Sequence, residues 1–194
     1  MNELLEGIYV RLLPLTLSHH QRLCEIGLNE DLWTFTTIQV ETESEMLAYI
    51  QTALAEKAEG TCQPYVITTR DTDELVGTTR YHSIDRDHRR LEIGFTWIAP
   101  RWQRTFVNTE AKYLMLKHAF EDQQFLRVQF RADASNEKSQ RAILRLGARP
   151  EGTLRSFVLS KNRGPRDLMV YSILASEWPG IRSKLEQELH RMDA

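Results

Sequence analysis

Apolar positions along the chain switch period several times, and each switch marks an element. The short apolar run IYVRLL at 8–13, closed by Pro14, predicts a strand. Ser18 stands as the cap of a helix reaching about Gly27. Residues 43–59 predict a second helix with Met46, Leu47, Ile50 and Leu54 on one face. From Pro64 the period falls to two. YVITT, ELVGTTRYH and RLEIGFTWI form three strands separated by turn residues at 71–73 and 85–88, an antiparallel meander. After Pro100 the stretch QRTFVNTEAKYLMLKHAFE at 103–121 returns to helical spacing, with Val107, Ala111, Leu114 and His118 on one stripe. RVQFRAD at 127–133 is a further strand, and a helix over 136–146 is stopped by Gly147. TLRSFVLS and RDLMVYSIL are the last strands, and 176–191 is a short surface helix behind a capping serine. The order predicts an α+β chain, a mixed sheet with helices on its faces. No repeat, low-complexity tract or Pro/Gly/Ser linker divides it, so one domain over 1–194 is expected.

Composition narrows the functions this sheet can serve. A chain of 194 residues with 41% apolar and 27% charged side chains can bury one sizeable core. Its net charge of −2, from 25 basic and 27 acidic groups, includes no long block of one sign, so no nucleic-acid partner and no membrane footprint is expected. Glu3, Glu6 and Arg11 interrupt the first apolar stretch, which fits neither a signal peptide nor a spanning segment, and a cytoplasmic location follows. Cys24 and Cys62 are isolated, and the six histidines show no ligand spacing, so thiols rather than a disulfide are expected, and no metal.

Candidate chemistry lies where strands run into helices. In LEIGFTWIAP, positions 91, 93, 95 and 97 alternate to one side and 92, 94, 96 and 98 to the other. Gly94 in mid-strand marks a bulge or a close approach by backbone or ligand. Glu92 is either a water-exposed strand carboxylate or, at a cleft, a group able to take a proton from an amine. Asn108 can cap the next helix with Glu110 in its first turn. The free N–H groups of that turn face the loop at 103–107, either as an ordinary helix end or as a seat for an anion. Asn136 caps the following helix, and Ser139 shares its inward stripe with Ala142, Ile143 and Leu146. Trp33, Phe35, Tyr81 and Trp97 are core aromatics or the lining of an acceptor pocket, among which Trp33 and Tyr81 are taken as acceptor contacts. Arg166 with Asp167, and Glu151 with Arg155, suggest ion pairs or loop fasteners.

Taken in order, LEIGFTWIAP, QRTFVNTEAKYLMLKHAFE, RVQFRADASNEKSQRAILRLGA, EGTLR, RD and SILASEW resemble the GNAT superfamily of acetyl-CoA-dependent N-acetyltransferases, in its RimJ/RimL-like branch. The resemblance extends from YVRLLPLTLSHHQRL to EWPGI. It implies a mixed sheet of about six to seven strands, splayed between LEIGFTWI and RVQFRAD, with helices on both faces. Acetyl-CoA, the acetyl donor, would lie in the gap. Its pantetheine arm would follow Phe95, Thr96, Trp97 and Ile98, with Gly94 as relief beside the ligand. The pyrophosphate would rest on Gln103, Arg104, Thr105, Phe106, Val107, Asn108 and Thr109. The family's cradle usually reads Q/R-x-x-G-x-G/A, and this chain has Arg104 and Phe106 where branch members resemble Q-G-T-G-V-N. Those side chains are compatible with the cradle if they point outward. By the same resemblance Asn136 would bond the peptide-like part of the cofactor, Ser139 would assist the departing thiolate, and Glu92 would be the general base through a water. A strand amide near Phe95 or Thr96 would face the oxyanion. The acceptor would be the N-terminal α-amine of a protein or peptide, or a small amine or amino acid. A non-catalytic acyl-CoA-binding or partner-binding module is the reading from another class. Dimers are common in this branch.

Overall fold

A computed structural model describes residues 4–160 and 163–191, so Glu3 lies outside the described residues. Eight strands form one sheet: β1 (Leu5–Glu6), β2 (Val10–Pro14), β3 (Gln63–Thr69), β4 (Leu75–Asp85), β5 (Arg90–Ile98), β6 (Arg127–Asp133), β7 (Arg149–Ser160) and β8 (Gly164–Leu174). Their spatial order is β1-β2-β3-β4-β5-β6-β8-β7. The helices are α1 (His20–Gly27), α2 (Glu43–Ala58), α3 (Phe106–Lys117), α4 (Glu137–Arg145) and α5 (Trp178–Arg191), and α3 runs on into a π-helical turn at His118–Asp122. The strand beyond the expected six to seven is the two-residue β1, whose return into β2 is tied down by a side chain from α3 described below. No helix among the described residues is long and apolar enough to cross a membrane.

Two clusters of buried side chains place the helices on opposite faces. Val107, Ala111 and Leu114 of α3, Ile143 of α4 and Leu185 of α5 pack with Leu12, Tyr65, Tyr81 and Ile93 of the sheet. Leu23 of α1 and Met46 and Ile50 of α2 pack with Trp33, Val66 and Trp97 on the other side. Five helices thus shield a sheet whose central strands are apolar on both faces.

Between neighbours the strands run antiparallel except β5 and β6, which are parallel and joined through α3. That one pair is short. It joins Arg90 to Arg127, Leu91 to Val128 and Glu92 to Gln129, after which both strands continue without pairing to Ile98 and Asp133. The sheet therefore splays at the expected place.

Strand β5 also breaks the alternation expected of it. Thr78 pairs with Trp97 and Arg80 with Gly94, so Thr79 alone stands opposite Phe95 and Thr96. This is a β-bulge, and Phe95 takes the left-handed conformation at φ 49. The extra residue switches sides: Leu91 and Ile93 pack with the α3 cluster, whereas Phe95 and Trp97 pack with α1 and α2. Positions 91, 93, 95 and 97 do not share a face, because period-2 counting fails across a bulge.

Candidate active site

The gap between β5 and β6 has the bulge as one wall and the end of β6 as the other. On the α2 side, the Tyr49 hydroxyl and Thr78 Oγ1 reach the Phe95 carbonyl at 3.5 and 3.4 Å. On the α3 side, Thr79 and Thr96 Oγ1 meet at 2.8 Å, and the Lys112 ammonium donates to both. Across the gap Asp133 is ion-paired with Arg166 and accepts the Ser135 amide at 2.8 Å. Arg166 in turn donates to the carbonyls of Thr34 and Phe35, 3.5 and 3.3 Å away, which fastens the α1–α2 loop to the far wall. Arg166 and Asp167 are therefore not partners; Asp167 accepts the Ser156 amide at 2.7 Å. Likewise Glu151 pairs with Arg127 rather than Arg155, since β7 and β6 bring those two side chains onto the same face through β8.

Glu92 lies at the closed end of the gap, on the face shared with α2. It is buried, and Oε1 accepts from Arg131 Nε at 2.8 Å and faces His82 Nε2 at 3.3 Å, while Oε2 accepts from Gln129 at 3.1 Å. Burial alone would raise this carboxyl, but hydrogen bonds and charge from His82 and Arg131 outweigh it and hold Glu92 below the ordinary carboxylate value. It is ionised at neutral pH. A cleft of about 820 Å³ opens beside it, lined by Ser83, Asp85, Arg86, Gln129 and Arg131 among others.

His82 is a residue the sequence did not single out. A Cβ on Gly94 would lie 2.6 Å from His82 Nε2, so the imidazole fills the space that glycine leaves. Gly94 is explained by a neighbouring side chain and needs no ligand to justify it. The His82 ring also meets Phe95 edge-on at 5.0 Å, which links Glu92 to the bulge.

The loop leading into α3 keeps its turn without glycine. Arg104 adopts φ 63 with its side chain exposed, and the Phe106 ring is occupied by Tyr9 at 4.5 Å and Trp102 at 6.1 Å. Arg104 is thus exposed, and the Phe106 ring packs on neighbouring aromatics. Thr105 caps the helix: its hydroxyl accepts the Val107 amide at 3.3 Å. Asn108 lies inside the first turn instead, one turn ahead of Lys112, and Thr109 is buried. Gln103 donates to the Ile98 carbonyl at 3.0 Å and accepts from Lys138 of α4, so the end of β5, the loop into α3 and α4 converge.

In α4, Asn136 caps the helix by accepting the Ser139 amide at 3.0 Å. Ser139 is half-buried, and its hydroxyl makes no hydrogen bond among the described residues, which leaves it available to a ligand. Trp33 belongs to the core, donates to the Gly27 carbonyl at 2.8 Å, and roofs a pocket of about 30 Å³ with Tyr49, Phe95 and Trp97. That volume holds a water-sized or methyl-sized group. Tyr81 is not brought to the site. It is fully buried on the α3 face with its hydroxyl on the Met115 carbonyl at 2.6 Å, because strand alternation sends Arg80 and His82, its neighbours, to the other side. Among the described residues no cluster of three or more His, Cys, Asp or Glu side chains could hold a metal ion.

Similarity to known proteins agrees with this geometry. Residues 10–149 match the model of the acetyltransferase (GNAT) domain. "Uncharacterized N-acetyltransferase YoaA" of Bacillus subtilis (strain 168) is 33% identical over 135 residues, 70% of this chain and 75% of that protein. "Putative ribosomal N-acetyltransferase YdaF" of the same organism is 36% identical over 106 residues, 55% of this chain and 57% of that one. The structure of Mycobacterium smegmatis RimJ in complex with CoA-disulfide superposes with a TM-score of 0.80, covering 96% of this chain and 91% of that one, and at 22% identity it speaks for the fold. A splayed parallel pair, a bulge beside it and a matching family model over most of the chain lead to one conclusion: the chain belongs to the GNAT family and is an acetyl-CoA-dependent N-acetyltransferase.

Proposed function

We propose that this enzyme acetylates the N-terminal α-amine of a protein or peptide, with the acetyl donor in the β5–β6 gap and the acceptor in the cleft beside Glu92. The observation that carries this reading is the separation of β5 from β6 directly after Glu92. It leaves strand backbone free on one side of the gap and a buried carboxylate at its root. The cleft, about 820 Å³, lies near the upper end of small-ligand pockets and opens along the sheet, which suits the first residues of a peptide. The relative YdaF is named a "putative ribosomal N-acetyltransferase", which supports a protein acceptor.

Each residue then has a defined task. Phosphates of the donor rest on the first-turn amides of α3, with the charges of Arg104 and Lys138 beside them. The pantetheine arm runs along Phe95, Thr96, Trp97 and Ile98, with Asn136 bonding its amides. An amine arriving as an ammonium ion gives its proton through water to Glu92. Because Glu92 is held ionised and is a weak base, the proton moves on to solvent in the cleft. The neutral nitrogen attacks the thioester carbonyl and forms a C–N bond, a bulge amide at Phe95 or Thr96 faces the oxygen that gains charge, and the C–S bond breaks as the second proton on nitrogen passes to the departing sulfur or to solvent. Ser139 donates a hydrogen bond to the departing thiolate. Trp33 roofs the small pocket beside the bulge, which is sized for an acetyl methyl.

Two variants test this assignment. Ser139→Ala and Glu92→Gln should each lower turnover at saturating acetyl-CoA by about 10²-fold or more, with cofactor affinity retained. A peptide with a free N-terminus should be acetylated where its N-terminally blocked counterpart is not. Equal acetylation of the blocked peptide, or acetylation of small amines alone, would remove the α-amine reading.

A further inference from the structure

Lys112 occupies a position that a helix normally gives to an apolar side chain. It sits on α3 beside Ala111 and one turn before Met115 and Leu116, only 5% exposed, and no carboxylate meets it among the described residues. Its Nζ donates to Thr79 Oγ1 at 2.9 Å and to Thr96 Oγ1 at 2.5 Å. Neutral hydroxyls return far less than an ammonium loses on leaving water, and burial pushes this amine down to about 7. A methionine here would be expected to stabilise the fold more.

What Lys112 touches is the bulge. Thr79 is the single residue opposite Phe95 and Thr96, and Thr96 Oγ1 also reaches the Gly94 carbonyl at 3.4 Å. Tyr49 and Thr78 hold the Phe95 carbonyl from the opposite face. The left-handed Phe95 is thus clamped from both sides of the sheet, and on one side the clamp is a buried amine.

We infer that Lys112 is a positioning residue for acyl transfer: acting through Thr96, it fixes the bulge that faces the thioester carbonyl and, in its protonated form, sets a positive charge near the oxygen as negative charge develops there. The inference rests on the placement of the thioester at the bulge given above. A fixed charge in a site shielded from water acts more strongly on a developing oxyanion than on a neutral carbonyl. It therefore favours the transition state over bound substrate.

The test is Lys112→Met, with Thr96→Val beside it, followed by three readouts. These are the melting midpoint of the free enzyme, acetyl-CoA affinity by calorimetry, and CoA release from acetyl-CoA with and without a free-amine peptide. The midpoint of Lys112→Met should equal or exceed the wild type, and affinity should stay within about threefold while CoA release at saturation falls about tenfold or more. Thr96→Val should slow release as well, and the double variant should be less than additive. Unchanged release would overturn the inference. A lowered midpoint with a parallel loss of affinity would overturn it too, by showing a purely structural tie. Wild-type enzyme that binds acetyl-CoA but releases no CoA with the peptide would instead contradict the α-amine reading, absence of binding would contradict the thioester placement, and the midpoint still decides whether Lys112 is structural.

Discussion

Gly94 shows how a single residue can be legible in kind and hidden in cause. A mid-strand glycine signals close approach, and the sequence alone points as easily to a ligand as to a side chain. The structure supplies the side chain, His82, whose Nε2 lies 2.6 Å from where a Cβ would be and 3.3 Å from Glu92. Gly94→Ala should therefore displace the imidazole and cost about 1–3 kcal/mol in urea unfolding, by overpacking. Gly94→Ala with His82→Ala should recover most of that loss, and no recovery would mean the strain lies in the backbone. Glu92 has a pH signature of its own. Its folded value lies below the ordinary one, so its contribution to stability is complete above the unfolded pKa and is lost as pH falls through the folded value. Glu92→Gln should flatten this acid-side loss, and a wild-type curve without it would deny the pairing with Arg131. The family resemblance, not the local pattern alone, singled out Glu92 and Ser139 in the sequence. It could not place His82 or Lys112, whose partners come from other strands.

At the scale of elements, α3 has a task besides the proposed phosphate seat at its first turn. Glu110, expected as a first-turn acid, instead reaches the β1–β2 turn and accepts the amides of Ile8, Tyr9 and Val10 at 2.6, 2.8 and 2.7 Å. Gly7 leaves room for that carboxylate, since a Cβ there would lie 2.5 Å from it. Glu110→Ala should orphan three amides and cost about 3 kcal/mol or more in denaturant unfolding, with β1 as the element lost first. A change below about 0.5 kcal/mol, the range of ordinary surface substitutions, would show that water replaces the carboxylate. Helix and strand identities followed from period and punctuation nearly throughout, and β6 is Arg127–Asp133 as expected. Caps were less legible. Thr105, not Asn108, caps α3, because two polar residues three positions apart offer the same signal and only the path out of Pro100–Trp102 chooses between them. The bulge at Phe95 was invisible for a related reason: strand counting assumes that each residue has one partner.

For the whole molecule, one long-range feature organises the rest. The sheet is continuous at β5 and β6 for three residue pairs and then opens, with α3 and α4 on one face and the Glu92 cleft on the other. A donor and an acceptor can approach the same few atoms from opposite sides. The family resemblance implied the opening, whereas the ties around it, Arg166 with the carbonyls of Thr34 and Phe35 and Lys138 with Gln103, arise only from the folded chain. The claim that rests most directly on it is that the donor occupies the gap, although Arg104 and Phe106 replace the usual glycines. Calorimetric titration of the enzyme with acetyl-CoA, beside dephospho-CoA, measures this. Acetyl-CoA should bind at micromolar affinity, about −8 kcal/mol, and more weakly when the 3′-phosphate is removed. No heat up to millimolar acetyl-CoA would contradict it, and would mean that the cradle is closed.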